Sequence, residues 1–123
     1  MVITKKQLNK HMNELIELDS QFPDAWNKKN FLMDLPSKLK YSRLIFHTTN
    51  LIAYMICSKK EDYIHIHRIC VREGFRGMGL GKNLLDSLPN KVSLCVDINN
   101  SAAFDFYVAN GFTTTHCLMR KEK

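Results

Sequence analysis

The sequence lacks the long apolar segments of membrane-spanning and secreted proteins. No run reaches the ~18 apolar residues that a membrane-spanning helix needs. The first ten residues, MVITKKQLNK, contain no apolar signal-peptide core. The chain also has no internal repeat, linker or low-complexity stretch. With 123 residues it is expected to form one domain, residues 1–123, with no membrane partner.

The cysteines are widely spaced, which argues against two common uses of this residue. The four cysteines, Cys57, Cys70, Cys95 and Cys117, each lie inside an apolar segment. Their spacing suits neither a zinc knuckle nor a redox pair, so the sequence predicts buried, reduced thiols and no metal. Reduced thiols persist in a reducing compartment. We therefore expect a cytoplasmic protein, in the host cytoplasm if the gene is viral.

No block of like charge stands out, although the net charge is +6. The lysines are scattered, mostly at the ends of predicted elements and in turns. A basic surface favours an anionic partner, such as a phosphorylated cofactor, nucleic acid or a membrane. RNA binding would place aromatic residues between basic residues on the strands, and the predicted strands contain few of them. Nucleic acid is therefore not an expected partner.

Apolar spacing predicts helices in the first third of the chain and a mixture of strands and helices after it. A helix is predicted over 5–18, capped by Thr4, and a second over 25–35, capped by Asp24 and ended by Pro36. From residue 43 the predicted order is strand, strand, strand, helix, strand, helix, strand, over 43–47, 51–57, 63–71, 79–88, 92–98, 101–109 and 112–120. This order predicts a single α+β (mixed α/β) domain.

Glycine is also scarce, yet four of the five glycines fall within residues 73–85, EGFRGMGLGKNLL. They stand between a predicted strand and a predicted helix, where unpaired backbone N–H groups bind phosphate. Glycine lets the backbone approach an anion closely, and Arg76 and Lys82 add positive charge. The P-loop pattern does not fit because residue 76 is Arg and residue 83 is Asn. The dinucleotide fingerprint does not fit because its third glycine position holds Lys82.

A third glycine pattern does fit. Residues 76–81 read R-x-x-G-x-G, and about twenty residues later Asn100, Ala103, Phe106 and Tyr107 fit N-x-x-A-x-x-[FL]-Y, followed by Gly111-Phe112. The two motifs, in this order, resemble the GNAT superfamily of acetyl-CoA-dependent N-acetyltransferases over about residues 63–112. The resemblance implies a GNAT-like fold, a twisted mixed sheet of about six strands with about four helices.

The resemblance also implies acetyl-CoA as cosubstrate, bound in a gap between the strands over 63–71 and 92–98. Backbone groups would hold the pantetheine arm and the pyrophosphate. The residues implied in cofactor binding are Cys70, Val71, Arg76, Gly77, Met78, Gly79, Gly81, Lys82 and Asn100. Tyr107 would lie near the thioester sulfur and protonate the departing thiolate. The amine would attack directly, with no covalent acyl-enzyme.

An amine acceptor requires a general base, because aliphatic amines are mostly protonated at neutral pH. A period of two places Tyr63, His65, His67, Ile69 and Val71 on one face of the third strand. Histidine titrates near neutrality, and IHIHRICV resembles the strand of serotonin N-acetyltransferase on which two histidines act through water. Two alternatives remain for His65 and His67. They can be half-buried structural residues, or a metal pair completed by His47 or His116.

Acidic and aromatic residues around the junction of the two predicted N-terminal helices are candidates for acceptor binding. Carboxylates beside aromatics suit a cationic amine; helix caps and a core tryptophan are the alternative. The acidic residues are Glu17, Asp19, Asp24 and Asp34, and the aromatic ones are Phe22 and Trp26. Of these, we predict that Asp19, Asp24 and Trp26 bind the acceptor.

The chain ends soon after Gly111-Phe112, and this compactness resembles the short virus-encoded polyamine acetyltransferases. We therefore expect a small diamine or polyamine as acceptor, although the +6 charge would repel a polycation. The alternatives are a protein α-amine or lysine and, outside enzymes, a module that binds coenzyme A or RNA without chemistry. A monomer or homodimer is expected.

Overall fold

The computed structural model describes residues 3–22, 24–89, 91–96 and 100–114. In these residues six helices surround a four-stranded sheet. The helices are α1 (Lys5–Lys10), α2 (Met12–Asp19), α3 (Lys28–Leu32), α4 (Leu35–Leu39), α5 (Leu80–Asp86) and α6 (Ser101–Ala109). The strands are β1 (Arg43–His47), β2 (Asn50–Lys59), β3 (Ile64–Val71) and β4 (Val92–Leu94).

The single helix predicted over 5–18 is in fact two helices. Thr4 caps α1 as predicted, because its hydroxyl accepts from the Gln7 amide while the Gln7 side chain accepts from the Thr4 amide. At His11 the backbone leaves helical geometry, with φ −105° and ψ 16°, and α2 starts at the next residue. The apolar spacing survives this break, which is why periodicity alone did not reveal it.

The helix predicted over 25–35 is also divided. Asn27, not Asp24, caps α3, in a reciprocal pair with Asn30. Asp34 adopts a left-handed conformation, φ 51°, and α4 begins directly after it. Pro36 therefore lies in the first turn of a helix instead of ending one, at a place where a residue without an N–H group is tolerated.

The sheet has the order β1-β2-β3-β4. The first three strands form an antiparallel meander, and β3 and β4 are parallel over Ile64–Ile66 and Val92–Leu94. The prediction of about six strands is therefore too high for the described residues. Residues 112–114 form no strand, and the rest of the predicted strand 112–120 lies outside the described residues, as do residues 97 and 98 of the predicted strand 92–98.

A β-bulge at His67 overturns the prediction that five alternate residues of β3 share one face. Ile66 pairs with Cys57 and Arg68 with Ile56, so His67 is an extra residue in β3. Beyond it the alternation reverses: Cys70 joins the core on the side of β3 that bears the histidines, while Ile69 and Val71 pack in the core on the opposite face.

The sheet separates two apolar cores, and β2, buried from Leu51 to Ser58, contributes to both. The first core packs α1, α2 and α3 against the sheet, with Leu15, Phe31 and Tyr54 at or near zero exposure. The second packs α5 against the other face through Leu84 and Leu85, with α6 beside it. Burial of a side chain of this size contributes roughly 1.5–3 kcal/mol, so both faces of the sheet stabilise the fold.

Two of the four cysteines fit the prediction of buried thiols. Cys57 and Cys70 are buried, and burial raises the pKa of their thiols to about 12 and about 11. Cys95 is exposed, contrary to the prediction, and Cys117 lies outside the described residues. None of the helices that the described residues form is both long and apolar enough to cross a membrane.

Candidate active site

A cavity of about 750 Å³ opens where β3 and β4 separate. Their parallel pairing stops at Ile66 and Leu94, and from residue 67 to 71 that edge of β3 pairs with no other strand in the described part of the chain. One group of lining residues comes from the α2–α3 connection and the middle of β3: Gln21, Phe22, Asp24, His67 and Arg68. Another comes from the end of β3, the glycine loop and α6: Cys70, Val71, Arg76, Asn100, Ala103 and Tyr107.

The glycine loop bends sharply beside this cavity. Gly77 and Gly79 have φ of 79° and 80°, a left-handed conformation that other residues adopt only with strain, and Gly79 is the N-cap of α5. Gly81 also packs closely against α6, because a Cβ atom there would lie 3.0 Å from Phe106 Cζ. Met78 is exposed, and Lys82 pairs on the surface with Asp86 at 2.7 Å. The residues that line the cavity do not include 77–82.

Arg76 is held in place at the cavity wall. Its Nε donates to the Val71 carbonyl at 2.9 Å, and its Nη2 donates to Gln21 Oε1 at 2.7 Å. The Gln21 amide nitrogen in turn donates to Cys70 Sγ at 2.8 Å. Gln21, which sequence analysis did not select, therefore joins the end of α2 to the arginine of the R-x-x-G-x-G motif.

Asn100 lies at the start of α6 and Tyr107 in its last turn. Asn100 is the N-cap, and its Oδ1 accepts from the Ala103 amide at 3.1 Å. Tyr107 packs between Phe106 and Phe112, with ring centroids 5.3 and 5.5 Å away. Burial raises the pKa of Tyr107 to about 12. Its hydroxyl is therefore protonated at physiological pH and can donate a hydrogen bond.

The two predicted histidines lie side by side on one face of the sheet, and each is hydrogen-bonded to a serine. His67 lines the cavity and its Nε2 lies 2.7 Å from Ser58 Oγ. His65 is 5.0 Å away, ring to ring, and its Nδ1 lies 2.9 Å from Ser93 Oγ. Burial lowers the pKa of both rings, that of His67 to about 4 with a further contribution from His65. Both imidazoles are therefore neutral at pH 7 and able to accept a proton.

The alternative metal site finds no further ligand in the part of the chain that the structure describes. No three His, Cys, Asp or Glu side chains lie together there as a metal site requires. His47 lies against Phe75, at a ring-centroid distance of 5.6 Å. His116 is outside the described residues.

Arg68 is a functional candidate that sequence analysis missed. Its guanidinium lies 4.9 Å from the ring centres of both Phe22 and Trp26. Its Nε is 3.2 Å from Asp19 Oδ1, and its Nη1 and Nη2 bind the Asp24 carboxylate and carbonyl at 3.2 and 2.5 Å. The available signal was the arginine in the middle of the strand IHIHRICV, since a buried cation needs a carboxylate partner.

The three predicted acceptor residues, Asp19, Asp24 and Trp26, all contact Arg68 but differ in their exposure to the cavity. Asp19 is fully buried, accepts from the Tyr54 hydroxyl at 2.5 Å and the Trp26 amide at 2.6 Å, and does not line the cavity. Asp24 lines the cavity and is 80% exposed. The Trp26 ring packs against the Arg68 guanidinium, and its centroid lies 5.1 Å from that of the Phe31 ring.

Both sequence motifs thus meet at one cavity between two diverging parallel strands, and a comparison with known families agrees. The sequence profile of the acetyltransferase (GNAT) family matches residues 12–112. The chain belongs to the GNAT family of acetyltransferases. A search of curated proteins gave no match.

Solved structures share the fold of this GNAT acetyltransferase at low sequence identity. Naa50 from Arabidopsis thaliana, in complex with the bisubstrate analogue CoA-Ac-MVNAL, has a TM-score of 0.75 and 24% identity over 94% of this chain and 83% of that one. The ribosomal-protein-S18-alanine N-acetyltransferase from Escherichia coli has a TM-score of 0.77 and 18% identity, over 94% and 77%. An aminoglycoside 6'-N-acetyltransferase from Acinetobacter haemolyticus has a TM-score of 0.75 and 12% identity, over 100% and 96%.

Proposed function

We propose that this GNAT acetyltransferase moves the acetyl group of acetyl-CoA directly to a primary amine in the cavity between β3 and β4. The observation that carries the proposal is the meeting of Arg76, Tyr107 and His67 at one cavity. The free edge of β3 at Cys70 and Val71 suits the amides of a pantetheine arm. The left-handed glycines beside Arg76 suit a pyrophosphate, because they expose backbone N–H groups beside a positive charge.

In the proposed reaction, one residue accepts the proton of the amine and another protonates the leaving thiolate. Acetyl-CoA supplies an activated thioester. The amine nitrogen forms a bond to the carbonyl carbon as the carbon–sulfur bond breaks, and the proton of the amine goes to a base. Tyr107 donates its hydroxyl proton toward the departing thiolate, a role that its raised pKa permits at every physiological pH.

His67 is the proposed base, acting through water, with His65 behind it as the second member of a relay. His67 lines the cavity and stays neutral because burial keeps its pKa low. A base of such low pKa is weak, so its contribution is to pass a proton onward instead of holding it. The hydrogen bonds between His67 and Ser58 and between His65 and Ser93 hold both rings in place for this transfer.

Replacement of both histidines by alanine is expected to lower kcat most at low pH, by about 100-fold near pH 6.5. The loss in kcat should become smaller as the pH rises, because more of the amine then reaches the enzyme unprotonated. The measurement is a pH–rate profile of the double variant against the wild type. A constant ratio of the two rates across the pH range would rule out the relay.

The charges near the acceptor end favour an amine without a second cationic group. Each of the four acidic residues of the predicted cluster has a cationic neighbour: Asp19 and Asp24 have Arg68, Glu17 has Arg72, and Asp34 acts on Lys38. A diamine or polyamine, the acceptor that compactness favoured, would place its second ammonium group beside one of these cations. Both protein and aminoglycoside acetyltransferases occur among the similar structures, so the fold alone leaves the acceptor open.

The test is an acetyl-CoA assay that measures free thiol with a panel of amines: putrescine, spermidine, an arylalkylamine and short peptides. At least one amine is expected to release thiol and to be recovered with one added acetyl group by mass spectrometry. If none does, while coenzyme A still binds, the chain is a binding module and the catalytic proposal fails.

A further inference from the structure

We propose that Arg68 determines acceptor specificity by binding a carbonyl or carboxylate next to the reacting amine, and that Asp24 occupies this position in the free protein. The acceptor class is then an α-amino-carbonyl compound, such as an amino-acid derivative or the end of a polypeptide. The inference rests on the proposed amine acetylation, and it concerns a residue that neither sequence motif contains.

The inner part of the guanidinium is fixed. The Arg68 side chain is only 10% exposed, and its Nε faces the fully buried Asp19. Asp19 is itself held by the Tyr54 hydroxyl and the Trp26 amide. The Arg68 guanidinium therefore keeps its position when the Asp24 carboxylate leaves, because the buried Asp19 carboxylate stays fixed in the core.

The faces of the guanidinium are also fixed. Phe22 and Trp26 both lie 4.9 Å from the Arg68 Cζ atom, as cation–π partners do. Arginine held by aromatic faces keeps its planar fork pre-organised for an oxygen acceptor, which a lysine ammonium does not.

The outer partner, in contrast, is exchangeable. Asp24 is 80% exposed, its carboxylate meets Nη1 at 3.2 Å, and its backbone carbonyl accepts from Nη2 at 2.5 Å. An ion pair with an exposed partner contributes little, up to about 1 kcal/mol, so an acceptor oxygen can replace the carboxylate at Nη1. Both Arg68 and Asp24 line the cavity, as does His67, the adjacent residue on β3. An acceptor with an oxygen close to its amine can therefore reach Arg68 while its nitrogen remains near the proposed base.

A matched pair of amines tests this directly. Phenylalanine amide and 2-phenylethylamine differ only by the carboxamide, and putrescine adds the dicationic class. Binding can be followed without acetyl-CoA, because the chain has one tryptophan and that residue, Trp26, touches Arg68. We expect the amide to change Trp26 fluorescence at a concentration at least about tenfold below that for 2-phenylethylamine. Equal or tighter binding of 2-phenylethylamine or putrescine would overturn the proposal.

Two variants assign the effect to Arg68. Asp24→Asn removes the competing charge and should tighten the amide several-fold while leaving 2-phenylethylamine unchanged. Arg68→Lys keeps the charge opposite Asp19 but loses the fork, and should remove the discrimination. Asp62→Asn, an exposed carboxylate 3.5 Å from Lys91, is the charge-matched control and should behave as the wild type. Weaker amide binding by Asp24→Asn, or full discrimination by Arg68→Lys, contradicts the proposal.

Comparison of phenylalanine amide with a tripeptide amide that begins with phenylalanine separates the two sources of this chemistry. Tighter binding of the tripeptide assigns a polypeptide end, and equal binding assigns a small amino-acid derivative. The thiol-release assay keeps this inference distinct from the proposed function. Acetylation of every amine without discrimination refutes the role of Arg68 only, whereas discrimination in Trp26 fluorescence without any thiol release refutes the acetyltransfer only.

Discussion

Tyr107→Phe is expected to lower kcat about 100-fold or more and to leave the KM for acetyl-CoA nearly unchanged. The substitution removes one oxygen from a side chain that packs between Phe106 and Phe112, so the rings keep their places. What is lost is the hydroxyl that we propose as the donor to the departing thiolate, and removal of one such donor or acid costs about 100- to 1,000-fold. Steady-state kinetics with a saturating amine measures the effect.

Tyr63→Phe is the matched control, because Tyr63 loses the same atom but is 37% exposed and lies outside the cavity. It should retain full activity. The leaving group offers a second measurement: an acetyl thioester of a more acidic thiol needs less help from an acid, and with it the loss in Tyr107→Phe should shrink. An unchanged kcat in Tyr107→Phe would show that another group, or water, protonates the thiolate.

Short-range signals predicted the elements that carry the site. The glycine loop, the asparagine that caps α6 and the tyrosine two turns later stand at fixed offsets in the sequence, and a fixed offset on a helix is a fixed position in space. Thr4 and the hairpin of β1 and β2 were predicted correctly for the same reason. Gly81 shows the limit of that reasoning. A side chain at this position would press against Phe106, 25 residues later, and short-range signals do not indicate such a contact.

The errors come from long-range pairing. The rule that places alternate residues on one face assumes a regular ladder, and the bulge at His67 is defined by the partner strand β2, not by β3 itself. Likewise, Asp19 and Arg68 are 49 positions apart, so nothing local to either residue indicates their pairing. Asp19 and Asp24 remain candidates for acceptor binding, and the arginine that pairs with both of them lies on β3, a different element.

Asp19→Ala is expected to lower the free energy of unfolding by about 3–5 kcal/mol, the cost of leaving a buried ion without its partner. Two hydrogen-bond donors lose their acceptor, the Tyr54 hydroxyl and the Trp26 amide, and Arg68 loses its buried counter-ion. A domain of this size is stabilised by about 5–15 kcal/mol in total, so the variant should unfold at a much lower urea concentration. Urea unfolding monitored by circular dichroism gives the value.

Asp24→Ala provides the internal comparison, because it removes a carboxylate from the same guanidinium at an exposed position. Its cost should stay below about 1 kcal/mol. Tyr54→Phe removes only one of the two hydrogen-bond donors to Asp19 and should cost about 1–1.5 kcal/mol. Combined with Asp19→Ala it should add almost nothing, because the hydroxyl of Tyr54 is then already without its acceptor.

This ordering of the three variants distinguishes a buried anchor from a surface charge network. If Asp19 only contributed to the surface field, Asp19→Ala and Asp24→Ala would have equal effects, and both would diminish in high salt. If Asp19 anchors Arg68, its variant is costly at any salt concentration and Trp26 fluorescence shifts even in the folded protein, since Trp26 loses both its amide acceptor and a fixed guanidinium. The same anchor makes Arg68 a rigid oxygen-binding group, so fold stability and acceptor choice depend on one buried carboxylate.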